Sequence, residues 1–105
     1  MSNMVITTLD AQVPQDKWGA LEQAYKEATA SESDRGIVET FLLHNFKEPN
    51  QWRIATVWES REALDAMRSS GQTPRGVLIF RAAGAEPALT SSDVVSYARA
   101  PGGKG

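Results

Sequence analysis

Alternating apolar and polar residues open the chain, and a helical repeat replaces them after a proline. Residues 4–13 are rich in Val, Ile and Thr and predict a strand, which Pro14 ends. Residues 15–30 place apolar side chains three and four positions apart, which is the spacing of one helix face. These apolar side chains are Trp18, Leu21, Tyr25 and Ala28. The chain therefore begins with a strand and an amphipathic helix.

Two further strands follow a turn signal at residues 33–36. Residues 37–46 and 51–59 both have the composition of strands. The polar residues 47–50 between them predict a short hairpin connection. These two strands are therefore expected to pair with each other in antiparallel fashion.

Helix start and stop signals mark the next part of the chain. Ser60 predicts an N-cap, because a serine side chain can bond the free amides of a first helical turn, and Gly71 predicts the end of this helix. The apolar run at residues 77–80 has the composition of either a buried strand or a helix. Thr73 as an N-cap before a first-turn proline and Gly84 as a stop favour a short helix over residues 75–83.

The last elements complete an α+β order. Residues 89–99 predict a final strand, and residues 100–105 predict a flexible tail. The order of strand, helix, strand, strand, helix, short helix and strand is ferredoxin-like with one inserted helix. We therefore predict one domain over residues 1–99, in which a four-stranded antiparallel sheet carries its helices on one face.

The second strand predicts a homodimer, because both of its faces are apolar. Simple alternation places on one face Ile37, Phe41 and Leu43. It places on the other face Val38, Leu42 and Phe46. Helices on one side cover only one face, so the other face needs the sheet of a second subunit. We assign Leu42 and Val57 to this face between subunits.

Composition narrows the functional classes. The 105 residues carry 11 basic and 13 acidic side chains, a net charge of −2 and no cysteine. This charge gives no basic footprint for nucleic acid, and the lack of thiols excludes cysteine-based redox or metal chemistry. The single histidine, His44, excludes a multi-histidine metal site within one chain. We find no membrane span and no secretion signal, and we expect a cytoplasmic protein that binds neither nucleic acid nor membranes.

Four side chains are candidates for a small-molecule site. Trp58 can donate its indole N–H to a substrate oxygen, although core packing suits a strand tryptophan equally well. By strand alternation, Trp52 lies on the same face as Trp58, and it can cover a pocket mouth or the dimer edge. Tyr25 can direct its hydroxyl into a pocket or into helix packing. His44 is the general-base candidate, because imidazole is the usual proton acceptor of enzymes near neutral pH; a solvated strand-end histidine is the alternative.

The chain resembles a known family at residues 51–64. A strand that ends Trp-Glu-Ser and leads into a helix that starts Arg-Glu-Ala-Leu is similar to the antibiotic biosynthesis monooxygenase family. The motif covers residues 52–70, and the order of elements matches over residues 4–99. This resemblance implies a dimeric α+β barrel with a pocket between sheet and helices in each subunit. It also implies that Trp58 corresponds to the family's recurrent tryptophan.

Family members differ in the reactions that the resemblance implies. Some oxidise polycyclic phenolic or anthrone-like substrates with O₂ and no cofactor, and others degrade haem. Haem-degrading members use a histidine after the second helix, and residues 70–75 contain none. The hypothesis is therefore a cofactor-free monooxygenase with His44 and Trp58 as catalytic residues and Tyr25, Trp52 and Trp58 as substrate-binding residues. A non-catalytic ligand-binding or structural homodimer of the same fold is the alternative.

Overall fold

Alternation along strand β1 (Val5–Gln12) sets one face of the sheet, in a computed structural model that describes residues 4–30 and 36–100. Odd-numbered residues from Val5 to Ala11 are buried, whereas the even-numbered residues are more exposed. Strand β3 (Gln51–Trp58) repeats this pattern and buries both tryptophans at its ends. Because side chains alternate between the faces of a strand, the buried residues of β1 and β3 form one apolar surface.

The described strands pair antiparallel in the order β2–β3–β1–β4. Strands β2 (Ile37–His44) and β4 (Ala88–Asp93) are the edges. In the described part of the chain, α1 (Trp18–Ala30) lies between β1 and β2, and α2 (Arg61–Ser69) and α3 (Arg75–Ala82) lie between β3 and β4. A short 3-10 turn precedes α1. The predicted ferredoxin-like α+β order is confirmed, with α3 as the inserted helix.

The helices bury apolar side chains against the inward face of the sheet. Leu21 of α1 and Phe80 of α3 are fully buried in one cluster, together with Ile54 of β3. Leu64 of α2 packs in another cluster with Trp58. Burial of one large apolar side chain contributes about 1.5–3 kcal/mol, so these contacts hold the helices on this face.

The helix boundaries follow local chemistry. The hydroxyl of Ser60 accepts a hydrogen bond from the Ala63 amide at 3.1 Å, which confirms the predicted N-cap. Gly71, just beyond α2, has φ +80°, a conformation that glycine adopts without steric cost. The short helix is also confirmed, but Pro74 and not Thr73 is its N-cap residue. Pro74 has ψ 144°, so the proline itself stays outside the helix.

The face assigned to Leu42 is wrong, because β2 contains an irregularity. The register shifts between Ile37 and Glu39, and the extra residue reverses the alternation expected from the sequence. Leu42 consequently opposes Ile54 and packs against the core beneath the helices. Val57 lies on the opposite face, as predicted, together with Phe41 and Leu43, which are 43% and 44% exposed.

The last strand is shorter than predicted. It ends at Asp93, which pairs with Val5 at the start of β1, and the Val94 amide makes a final bond to the Met4 carbonyl oxygen at 2.9 Å. Residues 94–100 form no strand in the described part of the chain. Of the predicted turn, residues 33–35 lie outside the described residues, as does the predicted tail after residue 100.

Candidate functional site

A cavity of about 270 Å³ lies between the sheet and the helices. The inward faces of the strands form its floor, and residues of α1, α2 and the first half of α3 form its walls. Its lining is mainly apolar and includes Leu9, Ile54, Trp58, Leu64, Met67 and Val77. Small-molecule pockets commonly measure about 300–1,000 Å³, so this cavity suits a small planar ligand.

Gly76 brings the first turn of α3 close to the floor of the cavity. A Cβ atom at this position would stand 2.5 Å from the Leu9 Cδ1 atom and 3.9 Å from Ile54 Cγ2. Any larger residue would therefore displace the helix or the Leu9 side chain. Glycine here is a requirement of packing, and it shapes one wall of the cavity.

Trp58 lines the cavity with its indole N–H already bound within the protein. The Nε1 atom donates to the Thr7 hydroxyl oxygen at 3.1 Å, and the two residues are 4% and 7% exposed. A hydroxyl that accepts one bond still carries its own proton, so Thr7 can donate in turn. The indole N–H of Trp58 is therefore occupied by the Thr7 hydroxyl, and it can influence a ligand through that hydroxyl.

A row of hydroxyl side chains crosses the inward face of the sheet. Register pairs Thr40 with Thr56, Thr56 with Thr7, and Thr7 with Ser91, one residue from each strand. The Thr40 and Thr56 hydroxyl oxygens lie 3.3 Å apart, and all three threonines line the cavity. We call Thr40, Thr56, Thr7 and Ser91 the hydroxyl row. It places donors and acceptors beneath an otherwise apolar cavity.

Charged residues stand at the cavity margins. The Arg68 Nη2 atom of α2 donates to the Ser91 hydroxyl at 2.9 Å, next to the end of the hydroxyl row. Arg75 of α3 donates from Nη1 to the Ala28 carbonyl oxygen of α1 at 2.9 Å. Glu39 is also among the lining residues, but it opposes Val57, so its side chain lies on the sheet face away from the helices.

Tyr25 lies where the sequence predicted, on the cavity side of α1. It lines the cavity together with Ala28 and Thr29, which follow it by three and four residues on the same helix face. Tyr25 and Trp58 are thus the predicted binding residues that the structure brings to one cavity.

His44 and Trp52 form a separate aromatic cluster with Trp18 at the hairpin end of the sheet. The His44 and Trp52 rings stack with centroids 3.9 Å apart, and Trp18 meets the His44 ring edge-on at 4.7 Å. The His44 Nε2 atom lies 2.7 Å from the Pro49 carbonyl oxygen. Trp52 Nε1 is buried without a hydrogen-bond partner in the described part of the chain. These contacts pack the hairpin against the start of α1.

The aromatic cluster is remote from Trp58. Trp52 and Trp58 occupy opposite ends of β3, and six strand residues span roughly 20 Å. His44 pairs with Trp52 across the β2–β3 ladder, so it shares this distance. Proton transfer needs a separation of about 2.6–3.2 Å or one bridging water. The two predicted catalytic residues, His44 and Trp58, therefore do not meet at one ligand in this chain.

Thr7, Thr56 and Arg68 were not predicted as site residues. A signal existed for the threonines, because each stands at an inward, otherwise apolar position of its strand. Arg68 gave no such signal, since it ends an exposed helix turn and reaches the cavity margin only through the packing of α2 on β4.

We also searched the described residues for a metal site and for a membrane-spanning helix. Residues 4–30 and 36–100 contain no cluster of three or more His, Cys, Asp or Glu suited to a metal ion. None of the described helices is long and apolar enough to cross a membrane. A hydrogen bond from Arg81 lowers the pKa of Glu86, and the same bond raises the pKa of Arg81, but neither residue lines the cavity.

A family model matches most of this sequence. A family model described as antibiotic biosynthesis monooxygenase matches residues 4–75, which include β1, α1, β2, β3 and α2. A comparison with curated proteins found no match.

Solved structures share the fold. A protein from Deinococcus radiodurans, provisionally assigned as an antibiotic biosynthesis monooxygenase, has a TM-score of 0.69 at 16% identity over 93% of this chain and 99% of its own. A protein with the same provisional assignment from Caulobacter crescentus CB15 has a TM-score of 0.69 at 18% identity, over 90% and 92%. A mutant of SnoaB, a cofactor-independent oxygenase from Streptomyces nogalater, has a TM-score of 0.63 at 18% identity, over 95% and 99%.

Proposed function

This chain belongs to the antibiotic biosynthesis monooxygenase family, and on that premise we propose that it is a cofactor-independent monooxygenase of a small phenolic, anthrone-like substrate. The observation that carries this proposal is the apolar cavity with Trp58 in its lining and a hydroxyl row beneath it. Such a cavity excludes water, orients a planar ring system and offers hydrogen bonds to its oxygens. A structural neighbour, SnoaB, is a cofactor-independent oxygenase, which supports the same reaction class.

The oxidation of an anthrone by O₂ requires no cofactor, because the deprotonated substrate is itself the reductant. An anthrone that loses a proton becomes an electron-rich anion, which transfers one electron to O₂. The resulting radical pair forms a C–O bond and gives a hydroperoxide, which loses water to leave a quinone carbonyl. One O₂ is consumed, one oxygen atom enters the product, and the other leaves as water. The substrate itself supplies the electrons.

The Thr7–Trp58 pair fits the stabilisation of the substrate anion. The Trp58 N–H polarises the Thr7 hydroxyl, and the remaining Thr7 proton can bond a substrate oxygen that gains negative charge. Hydrogen bonds to developing oxyanions in a dry site are worth more than those in water, because no solvent competes for the donor. This assignment retains Trp58 as a site residue but makes Thr7 the direct donor.

The proton acceptor is the second part of the proposal. Glu39 is among the lining residues but opposes Val57 on the outer sheet face, and His44 lies in the aromatic cluster roughly 20 Å from Trp58 along the sheet. We therefore expect neither residue to accept the proton of the bound anthrone. Solvent takes this proton, while the Thr7–Trp58 pair stabilises the anion that remains.

Oxygen uptake tests the proposed function. With an anthrone substrate, we expect O₂ consumption above the spontaneous rate, with quinone and water as products. Thr7→Val should lower this rate by about 10²-fold, a typical cost of removing one donor to a developing oxyanion. His44→Ala is the matched control and should stay within about two-fold of the native rate, because His44 is remote from the Thr7–Trp58 pair. Absence of any rate above background with a panel of anthrones would reject the catalytic proposal.

We also propose that the chain works as a homodimer. The sheet face opposite the helices presents Phe41, Leu43, Ala55 and Val57, and the first two are well exposed in the isolated chain. A contiguous apolar surface of this kind commonly marks a protein interface. A second copy of the same face would cover it and would satisfy the expectation drawn from the sequence.

A further inference from the structure

Arg68 differs in its partner from three other arginine residues of this chain, which form salt bridges. Arg53 bonds the Asp10 carboxylate, Arg61 bonds Asp93, and Arg81 bonds Glu86. Arg68 bonds a neutral hydroxyl, that of Ser91, and it forms no salt bridge within the described residues. Its positive charge is therefore not balanced by direct contact with an acidic side chain.

The cavity places this charge where a ligand can reach it. Arg68 lines the cavity margin and bonds the Ser91 end of the hydroxyl row. Arg75 of α3 is a further basic residue of the lining, whereas Glu39 opposes Val57 and directs its side chain to the outer sheet face. The described lining therefore presents positive charge to a ligand and no inward carboxylate.

Arg61 is a natural comparison on the same helix. It lies seven residues before Arg68, two helical turns away, and also reaches β4. Its partner Asp93 balances its charge, and it does not line the cavity. Asp65, one turn before Arg68, lines a neighbouring surface groove, which Arg68 also lines, and not the cavity itself. The arginine of this helix that lines the cavity is therefore the one without a bonded carboxylate.

We propose that the ligand of this cavity is an aromatic carboxylate whose acid group binds Arg68. This inference rests on the proposed function for the site and adds the class of substrate to it. A guanidinium carries five N–H donors in a planar fork that matches the two oxygens of a carboxylate. The bond to Ser91 uses one of these donors and holds the side chain in place. The aromatic rings then extend along the hydroxyl row, over the Thr7–Trp58 pair.

Paired ligands test the inference by calorimetry on the full chain. Naphthoate and naphthamide have the same rings and nearly the same shape but differ in charge. We expect naphthoate to bind about ten-fold more tightly, a modest factor because Arg68 is solvent-exposed and its charge is screened. Arg68→Gln should remove this preference, because naphthoate then loses more affinity than naphthamide does. Arg61→Gln should preserve the preference, and higher ionic strength should reduce it in the native chain.

The outcomes separate this inference from the proposed function. Equal affinity of both ligands for the native chain would overturn the carboxylate inference while the aromatic pocket stands. A preference that survives Arg68→Gln would overturn the assignment to Arg68. If neither ligand binds and anthrones are not oxidised, the proposed function itself fails. Arg68→Lys keeps the charge and loses the fork, so a partial preference in this variant supports the proposal, and urea unfolding verifies that each variant folds.

Discussion

At the scale of single residues, the hydrogen bond between Trp58 and Thr7 decides how the tryptophan can act. The sequence offered two interpretations for Trp58, as a donor to substrate or as a core residue. The structure combines them, because the side chain is buried and its N–H is bound to Thr7, while the residue also lines the cavity. Substitution of Thr7 therefore affects both the core and the site.

Thr7→Val should destabilise the chain by about 1–3 kcal/mol, because it leaves the buried Trp58 N–H without an acceptor. In a Trp58→Phe background the same change should cost much less, since no donor remains to be satisfied. Urea unfolding of the four proteins at one protein concentration gives this coupling energy. Thr8→Val, one residue away on the opposite strand face, is the control and should not destabilise. Additive costs of the Thr7 and Trp58 changes would contradict the coupling.

At the scale of elements, the periodicity of apolar residues predicted the strands and helices. It did not predict the register between strands, which depends on residues far apart in the sequence. The Ser60 cap and α3 follow from local sequence, because capping and helix propensity act within a few residues. Leu42 changed face because an irregularity in β2 depends on its pairing with β3. β4 ends at Asp93, opposite Val5 at the start of β1, and this pairing is not encoded in the local sequence of β4. The hydroxyl row could not be predicted from the sequence either, because it depends on which residues oppose each other across the four strands.

Gly76 links the placement of α3 to the volume of the cavity. Gly76→Ala puts a methyl group 2.5 Å from Leu9 Cδ1, and Leu9 must then move into the cavity or the helix must lift. We expect naphthoate affinity to fall by ten-fold or more. Stability should fall by no more than about 1–3 kcal/mol, because better helix propensity offsets part of the overpacking.

Gly19→Ala provides the control for this change. Gly19 lies in α1, and a Cβ atom there meets no other atom within 4 Å. This variant should be neutral or stabilising by up to about 1 kcal/mol, with unchanged ligand affinity. Equal ligand affinity in Gly76→Ala and Gly19→Ala would show that the approach of α3 does not shape the site.

At the scale of the whole molecule, apolar surface remains uncovered in a single chain. Phe41 and Leu43 stand on the open sheet face. Residues 94–99 belong to the predicted last strand but form no strand in the described part of the chain, and Val95 and Tyr97 are 93% and 65% exposed. This exposed apolar segment and the open apolar sheet face both support the homodimer that we propose.

Val57→Glu tests this requirement at the centre of the open face. Stable dimers of this kind commonly bury about 2,000 Å² or more, and a carboxylate placed within such an interface loses its water without gaining a partner. Sedimentation should therefore show a dimer for the native chain at micromolar concentration and a monomer or aggregate for the variant. Leu78→Glu is the matched control, because Leu78 is half-exposed on α3, away from the sheet face, and this variant should remain dimeric. A native chain that sediments as a stable monomer would disprove the homodimer, and with it the expectation that the open sheet face is covered by a second copy.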